Sequence, residues 1–474
     1  MPACLSPAAT QVLVDLLSQA LQYHMRGQLS QAERLYRTAL RWDPTCPEAH
    51  HNLGVVYQGQ GHTEAALQCY QEAIRLQPDY AAAHYNAGVL WQARGHYEAA
   101  VQAYQHTLRL QPDFRAAYHN LGVLWQEQGA HQQALAAYEQ ALRLDPDDVE
   151  AQWNRALLWL AQGRLAEGWR AYEWRWRGLH SARHWPMPRW DGSPLQGQTI
   201  LVWAEQGLGD EILFASCLPD LLEQAGHCVL ECDPRLAPLF TRSFPGATVQ
   251  GSPRQASPDW LAQVPPADVQ LPSGSLPGYL RPGLQAFPGR AGYLRPDALR
   301  QAHYQARLAQ LGPGLKVGIA WRSRAHRAES HYTRLQQWRP LCTLSGVHLI
   351  NLQYDDTTAE CVQAQQQWGV SLHTWEDLDV FNDLDGLAAL MAALDLVIAP
   401  ETSVAALAGA LGTPVWRLTP YGNSWTALGT AHSPWFPSMR VYCQPQPGAW
   451  DALLATVATD LAALVAQSGS RSSV

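Results

Sequence analysis

A spacing of 34 residues governs the first 175 positions of the chain. Asn52, Asn86, Asn120 and Asn154 lie 34 apart, as do Pro44, Pro78, Pro112 and Pro146, and Gly27, Gly61, Gly95, Gly129 and Gly163. In a unit such as AAYHNLGVLWQEQGAHQQALAAYEQALRLDP, apolar and small residues recur at helical spacing on both sides of Gly129, and the proline closes the second helix. One such helix pair cannot bury its own apolar faces, so successive pairs must stack. Trp91, Trp125 and Trp159 keep the same spacing and are expected in the seams.

This pattern resembles the tetratricopeptide repeat family, with five units beginning near residues 15, 49, 83, 117 and 151. The first is degenerate and the last drifts after Gly163 into EGWRAYEWRWRG, as terminal capping repeats do. The resemblance places the repeated Asn on an inner, concave surface; in the related repeats of protein O-GlcNAc transferases a comparable Asn ladder holds a peptide backbone. An amide side chain offers both donor and acceptor to a main-chain amide, so Asn52, Asn86, Asn120 and Asn154 are candidate peptide-binding residues. The competing reading is a frequent repeat residue facing solvent or bonding within the helix pair. His50, His51, His84 and His119 form no metal pattern and are expected to line or pack against the same face.

A length of 474 residues, 47% of them hydrophobic, implies two or three domains with substantial cores. Charged residues make up 16%, the net charge is -8, and Lys316 is the single lysine, so no broad basic footprint for nucleic acid is present. The nine cysteines include no CxxC pair, and Cys228 and Cys232 read as buried thiols of a reducing compartment. No metal is called for. No basic segment precedes the first apolar residues, and no run of 18 or more apolar residues follows, so the expectation is a cytoplasmic chain without a membrane span.

After the repeats, residues 176–196 carry Pro186, Pro188 and Pro194 with Trp185 and Trp190, a semi-rigid joint. The stretch TILVWAEQGLGDEILF (199–214) then reads as a strand, a Gly-rich turn and a helix start, where free backbone N–H groups can meet an anion or a sugar oxygen. Strands are predicted at 200–203, 228–231, 268–271, 317–321, 348–352, 396–399 and 415–418, and helices at 211–223, 235–240 and 298–311. Short apolar runs alternating with helices imply mostly parallel sheets. The predicted layout is α plus α/β: a repeat array (1–175), the linker (176–196), and two Rossmann-like halves (197–312 and 313–474) whose strand ends face a crevice. In the later half, APETSVAALAGALG gives a buried strand, then a helix whose first turn holds Glu401, Thr402 and Ser403. These can hold a diphosphate or cap their helix without any ligand.

The second part of the chain resembles the two-domain (GT-B) glycosyltransferases related to the heptosyltransferase family, in the branch fused to tetratricopeptide repeats. The matching pieces are YEWRW, PRWDGSPLQG, AEQGLGDEILFA, GIAWRSR, APETSVAALAGALGTPVW and SPWFPSMRVY. The resemblance implies that Asp210 is the base that deprotonates an acceptor hydroxyl, with the sugar coming from a nucleotide-sugar co-substrate. Arg322 and Arg324, suited to forked phosphate contacts, with Thr402 and Ser403, would stabilise the departing diphosphate without a metal. Glu401, Asn351 and Gln353 are candidate contacts to ribose or base, and Gln206, Gly207, Gly209 and Trp425 lie in the sugar or acceptor vicinity. Trp321, Trp416 and Trp435 are further candidates for a ring at the crevice. The family's later motif begins Asp-Thr-Ser-Val-Ala-His; here Glu401 replaces the Asp and Ala406 the His. Three readings follow: an inverting transferase acting on a protein or peptide held by the repeats, an inactive scaffold, or a glycan-directed transferase whose repeats hold a partner or pair subunits.

Overall fold

The computed structural model describes residues 7–178, 183–253, 258–323, 332–422 and 424–471. The chain divides into two compact units, Met1–Ala151 and Gln152–Val474.

The first unit is a run of antiparallel helix pairs: α1 (Pro7–Met25) with α2 (Leu29–Trp42), α3 (Pro47–Gly59) with α4 (Thr63–Leu76), α5 (Ala81–Ala93) with α6 (Tyr97–Leu110), and α7 (Arg115–Glu127) with α8 (His131–Leu144). Each turn uses a glycine in the left-handed region, Gly27, Gly61, Gly95 and Gly129 at φ 71°, 78°, 75° and 69°, where a side chain would be strained. The seams repeat as the sequence does. Ala32, Ala66, Ala100 and Ala134 are buried, as are Tyr36, Tyr70, Tyr104 and Tyr138. Glycine is also needed inside the first helix of a pair, because a Cβ at Gly54 or Gly88 would stand 2.6 or 2.8 Å from the ring of Tyr70 or Tyr104. Each ring then points its hydroxyl at a glutamine 12 residues earlier: Tyr70 to Gln58, Tyr104 to Gln92 and Tyr138 to Gln126, at 2.7, 2.8 and 3.0 Å.

The second unit begins within α9 (Val149–Ala161) and continues through α10 (Leu165–Tyr172). Its strands are β1 (Thr199–Trp203), β2 (His227–Cys232), β3 (Ala247–Gly251), β4 (Val269–Pro272), β5 (Leu315–Ile319), β6 (Val347–Asn351), β7 (Leu396–Pro400), β8 (Val415–Thr419) and β9 (Met439–Cys443). They form two parallel sheets, ordered β3-β2-β1-β4 and β6-β5-β7-β8-β9. The helices between the strands of the first sheet are α11 (Leu208–Ala215), α12 (Leu218–Leu222) and α13 (Ala237–Ser243), followed after β4 by α14 (Leu276–Leu280) and α15 (Ala298–Ala309). Those of the second are α16 (Arg339–Cys342), α17 (Thr358–Trp368), α18 (Leu384–Met391) and α19 (Ser403–Leu411), followed after β9 by α20 (Trp450–Arg471). Strands such as β7, buried along its whole length, read as continuous apolar runs because helices cover both faces. The layout is therefore a helical repeat array followed by a Rossmann-like α/β region.

Two expectations needed correction. The helix predicted over 211–223 is two, broken at Ser216 and Cys217 ahead of Pro219. Strands β3 and β9 were not anticipated; both are sheet edges, half open to solvent, and lack a continuous apolar run. By length and composition alone, Trp450–Ser468 in α20 is long and apolar enough to cross a membrane. Its alanines and threonines hide it from a search for uninterrupted apolar residues, and Trp450, Leu453, Leu454, Val457 and Leu461 pack into a core with β5 and β7.

Candidate functional site

In both sheets the order reverses about a central strand, β1 in the first and β5 in the second, and the crevice beyond such strand ends is where α/β folds bind ligands. Three loops reach these ends: 204–207 after β1, 320–323 after β5, and 401–402 after β7. Two of them meet. A Cβ at Gly209 would lie 3.4 Å from Cα of Ser403 and 3.5 Å from its N, so the first turns of α11 and α19 are in contact.

The loop after β1 is held by the last helix of the repeats. Gln206 has φ 59°, a left-handed conformation costing on the order of 1 kcal/mol or more in a residue with a side chain. The Tyr172 hydroxyl donates to Gln206 Oε1 at 3.0 Å, and Gln206 Nε2 donates back to that hydroxyl at 2.9 Å. Beside it, Arg175 Nε and Nη2 donate to the two Glu205 oxygens at 2.8 and 2.7 Å; Gly274 N–H adds a bond to Glu205 at 2.8 Å. Both charges are buried, and Arg175 also donates to Ser275 Oγ and the Tyr172 carbonyl, so the pair is satisfied as burial demands. Burial pushes the Tyr172 phenol well above its ordinary pKa, opposed by Arg175 and reinforced by Asp210 and Glu205. Tyr172 continues the 34-residue series of Tyr36, Tyr70, Tyr104 and Tyr138, but Leu160 stands where its glutamine partner would be. The hydroxyl is thereby released to the loop. Asp210 Oδ2 accepts from Gly207 N–H at 3.0 Å, a cap at the start of α11.

On the other side, Glu401 accepts from Ser424 Oγ at 2.5 Å and Thr426 Oγ1 at 2.7 Å, and lies 3.6 Å from Arg417 Nη1. Arg417 is 4% exposed, and its Nε and Nη2 are buried without a hydrogen-bond partner. Thr402 does not cap α19; its hydroxyl donates to the Pro400 carbonyl at 3.3 Å. The expected capping role therefore does not hold for Thr402.

Arg322 is engaged by two carboxylates, Asp355 at 2.7 Å and Glu360 at 2.5 Å. Asn351 and Gln353 are buried and turned inward. Asn351 accepts from Gln353 N–H and donates to Thr357 Oγ1, while Gln353 Oε1 accepts from the N–H groups of Trp321 and Arg322. These amides tie the ends of β5 and β6 together. Arg324 lies outside the described residues. Trp321 and Trp416 do not face the crevice but belong to the core around α20, the first fully buried. Trp425 packs among Trp169, Tyr172 and Phe214, with ring centroids 5.8 to 6.3 Å apart, and Trp435 is buried in the same cluster.

Between α11, α18 and α19 lies a cavity of about 180 Å³, lined mainly by Leu208, Ile212, Leu384, Val404 and Leu407. That is below the roughly 300–1,000 Å³ usual for ligand pockets. Its one cation, Arg235, is bonded to Asp233 and to the Phe381 carbonyl.

In the repeats the Asn residues reach backwards. Asn86 Nδ2 meets His51 Nε2 at 2.9 Å, and Asn120 Nδ2 donates to Tyr85 and Tyr104 hydroxyls at 3.1 and 3.3 Å; Asn52 Oδ1 lies 3.2 Å from His51 Nδ1. Asn86 and Asn120 thus stitch one repeat to the preceding one. Asn154 falls in the second unit and is half-buried.

Family models described as tetratricopeptide repeat match residues 47–80 and 92–137, and one described as TPR repeat matches 20–61 and 126–163. The chain is 40% identical over 289 residues to Protein FlbA of Caulobacter vibrioides, covering 58% of this chain and 48% of that protein, so it spans about half the length of this relative. Solved structures that match include MamA (24% identity, TM-score 0.31, 33% of this chain and 91% of that one) and PilF of Pseudomonas aeruginosa (20%, 0.36, 46% and 87%). A third is YrrB, described as a TPR protein with an unusual peptide-binding site (18%, 0.30, 34% and 82%). With the 34-residue seams of tyrosine, glycine and alanine, these profile matches identify the N-terminal helical array as a tetratricopeptide-repeat solenoid.

Proposed function

We propose that the chain is a protein-interaction module whose repeats bind a partner polypeptide, joined to a GT-B-like α/β unit that acts as scaffold. The observation that carries this reading is the state of the crevice. Where nucleotide-diphosphate chemistry would need free cations and room, Ser403 abuts Gly209, Arg322 is engaged by Asp355 and Glu360, and the adjoining cavity is small and apolar. Glu401, the acid at the altered motif, is likewise taken up by Ser424, Thr426 and Arg417.

A second reading, inverting and metal-independent transfer of a sugar from a nucleotide sugar to a repeat-bound protein or peptide, is favoured by one observation. The first turn of α19 has no side-chain cap and meets the first turn of α11, bringing Asp210 to the strand ends where the donor would lie. Calorimetric titration of the full chain with a panel of nucleotides and nucleotide sugars separates the two. The scaffold reading expects no saturable heat; binding of one base class that disappears in Arg322→Ala and Arg417→Met overturns it in favour of transfer.

A further inference from the structure

The third repeat carries a groove that differs in chemistry from its neighbours. Between α5 and α6 lies an open cavity of about 460 Å³ whose lining includes His84, Trp91, Gln102, Gln105, His106 and Arg109, and no acidic residue. His84 and Asn86 are two positions apart, about 200° around the helix, so the groove and the Asn row occupy different faces.

The preceding repeat supplies an internal reference. There Arg75 is held by Glu72, its Nε donating at 2.8 Å and its Nη2 at 2.5 Å. One repeat later Arg75 becomes Arg109 and Glu72 becomes His106. Arg109 Nη2 now donates to His106 Nδ1 at 2.9 Å, which leaves the Nε2–H of that ring as a donor. The His106 ring lies tilted against His84 with centroids 4.1 Å apart. His84 Nε2 in turn donates to the Pro78 carbonyl at 2.9 Å. Among the described residues no carboxylate comes within ion-pair distance of Arg109, His84 or His106. The following repeat has Tyr118 and Gln140 at the histidine positions, so the cluster occurs in this repeat alone. Burial above all holds His84 below its ordinary pKa despite the Pro78 bond. On a chain of net charge -8, a groove lined by a guanidinium and no acidic residue is a local reversal of sign.

We propose that this groove binds an acidic polypeptide segment, seating a side-chain carboxylate against Arg109 and the His106 Nε2–H, with Trp91 beneath the adjoining aliphatic carbons. Charge-assisted bonds from a guanidinium and an imidazole to one carboxylate are stronger than neutral ones, and the glutamine amides can serve the peptide backbone. The proposal rests on the reading of the repeats as protein-binding, and names what their partner presents.

The test is fluorescence anisotropy of a labelled octaglutamate peptide against the full chain, with octaglutamine as the neutral reference. Saturable binding that weakens with salt is expected for octaglutamate alone. His106→Glu, which gives Arg109 the partner that Arg75 already has, and Arg109→Gln should each lower the affinity at least tenfold, while Arg75→Gln leaves it unchanged. Equal affinity of wild type and His106→Glu, or no octaglutamate binding by wild type, overturns the proposal. Competition by inorganic phosphate at concentrations equal to glutamate side chains also overturns it, since the groove would then be a general anion site. If Asn86→Ala with Asn120→Ala abolishes capture of a cellular partner while octaglutamate shows no effect, the interaction reading stands and this site falls.

Discussion

Tyr138 and Tyr172 hold the same position in successive repeats, yet their hydroxyls serve different ends. Tyr138 bonds to Gln126 within its own helix pair at 3.0 Å; Tyr172, with Leu160 in place of that glutamine, bonds to Gln206 in the loop after β1. The ring is kept for packing in both. A repeating seam thus becomes an anchor for a non-repeating loop through one substitution twelve residues away. The difference teaches that periodicity fixes shape while departures from it mark where the array has been put to another use. The His106 groove is a second departure of this kind.

The contrast is broken most severely by removing the buried charge that stands beside Tyr172. Arg175→Met strands Glu205 without its partner and should cost about 3–5 kcal/mol, as losses of one member of a buried pair do. Urea unfolding followed by far-UV circular dichroism should show a lower midpoint; an unchanged midpoint would mean that Glu205 is reached by water. Next comes the seam itself. Gly88→Ala brings a Cβ within 2.8 Å of Tyr104 and should destabilise by about 1–3 kcal/mol through overpacking, measured the same way. Smallest in stability, but sharpest in location, is the pair Tyr138→Phe and Tyr172→Phe. Each should cost about 0.5–1.5 kcal/mol for a lost hydrogen bond. Only Tyr172→Phe should speed amide hydrogen exchange across 205–211, and equal exchange there in both variants would remove the distinction drawn between them.

The repeats were legible because every contact that forms them lies within about one period, so that alanine, glycine and tyrosine announce the seam at fixed intervals. The central strands of the α/β unit were legible for a related reason: buried on both faces, they are apolar runs. The edge strands β3 and β9 were not, since both are half open to solvent and lack a continuous apolar run, whereas the edges β4 and β6 end in buried residues. Site residues were harder still. Asn351 and Gln353 were rightly placed at a strand end, but their amides are consumed by backbone and hydroxyl partners, which no sequence spacing reveals. Arg175 and Glu205 escaped notice because they are paired across 30 residues of sequence, and Arg417 because its contacts to Thr426 and Glu401 follow no repeating spacing. Tyr172 alone carried a readable signal, a tyrosine in register whose glutamine had gone.

Leu160, Leu165, Trp169 and Tyr172 share one core with Ile200 and Val202 of β1 and Phe214 of α11. The terminal helix pair is therefore an organ of the α/β unit that happens to be written in the language of the repeats. Adding or removing whole 34-residue steps upstream leaves the residues of that core untouched, whereas a change in the final pair alters it. The number of repeats is free to drift; the identity of the last one is not.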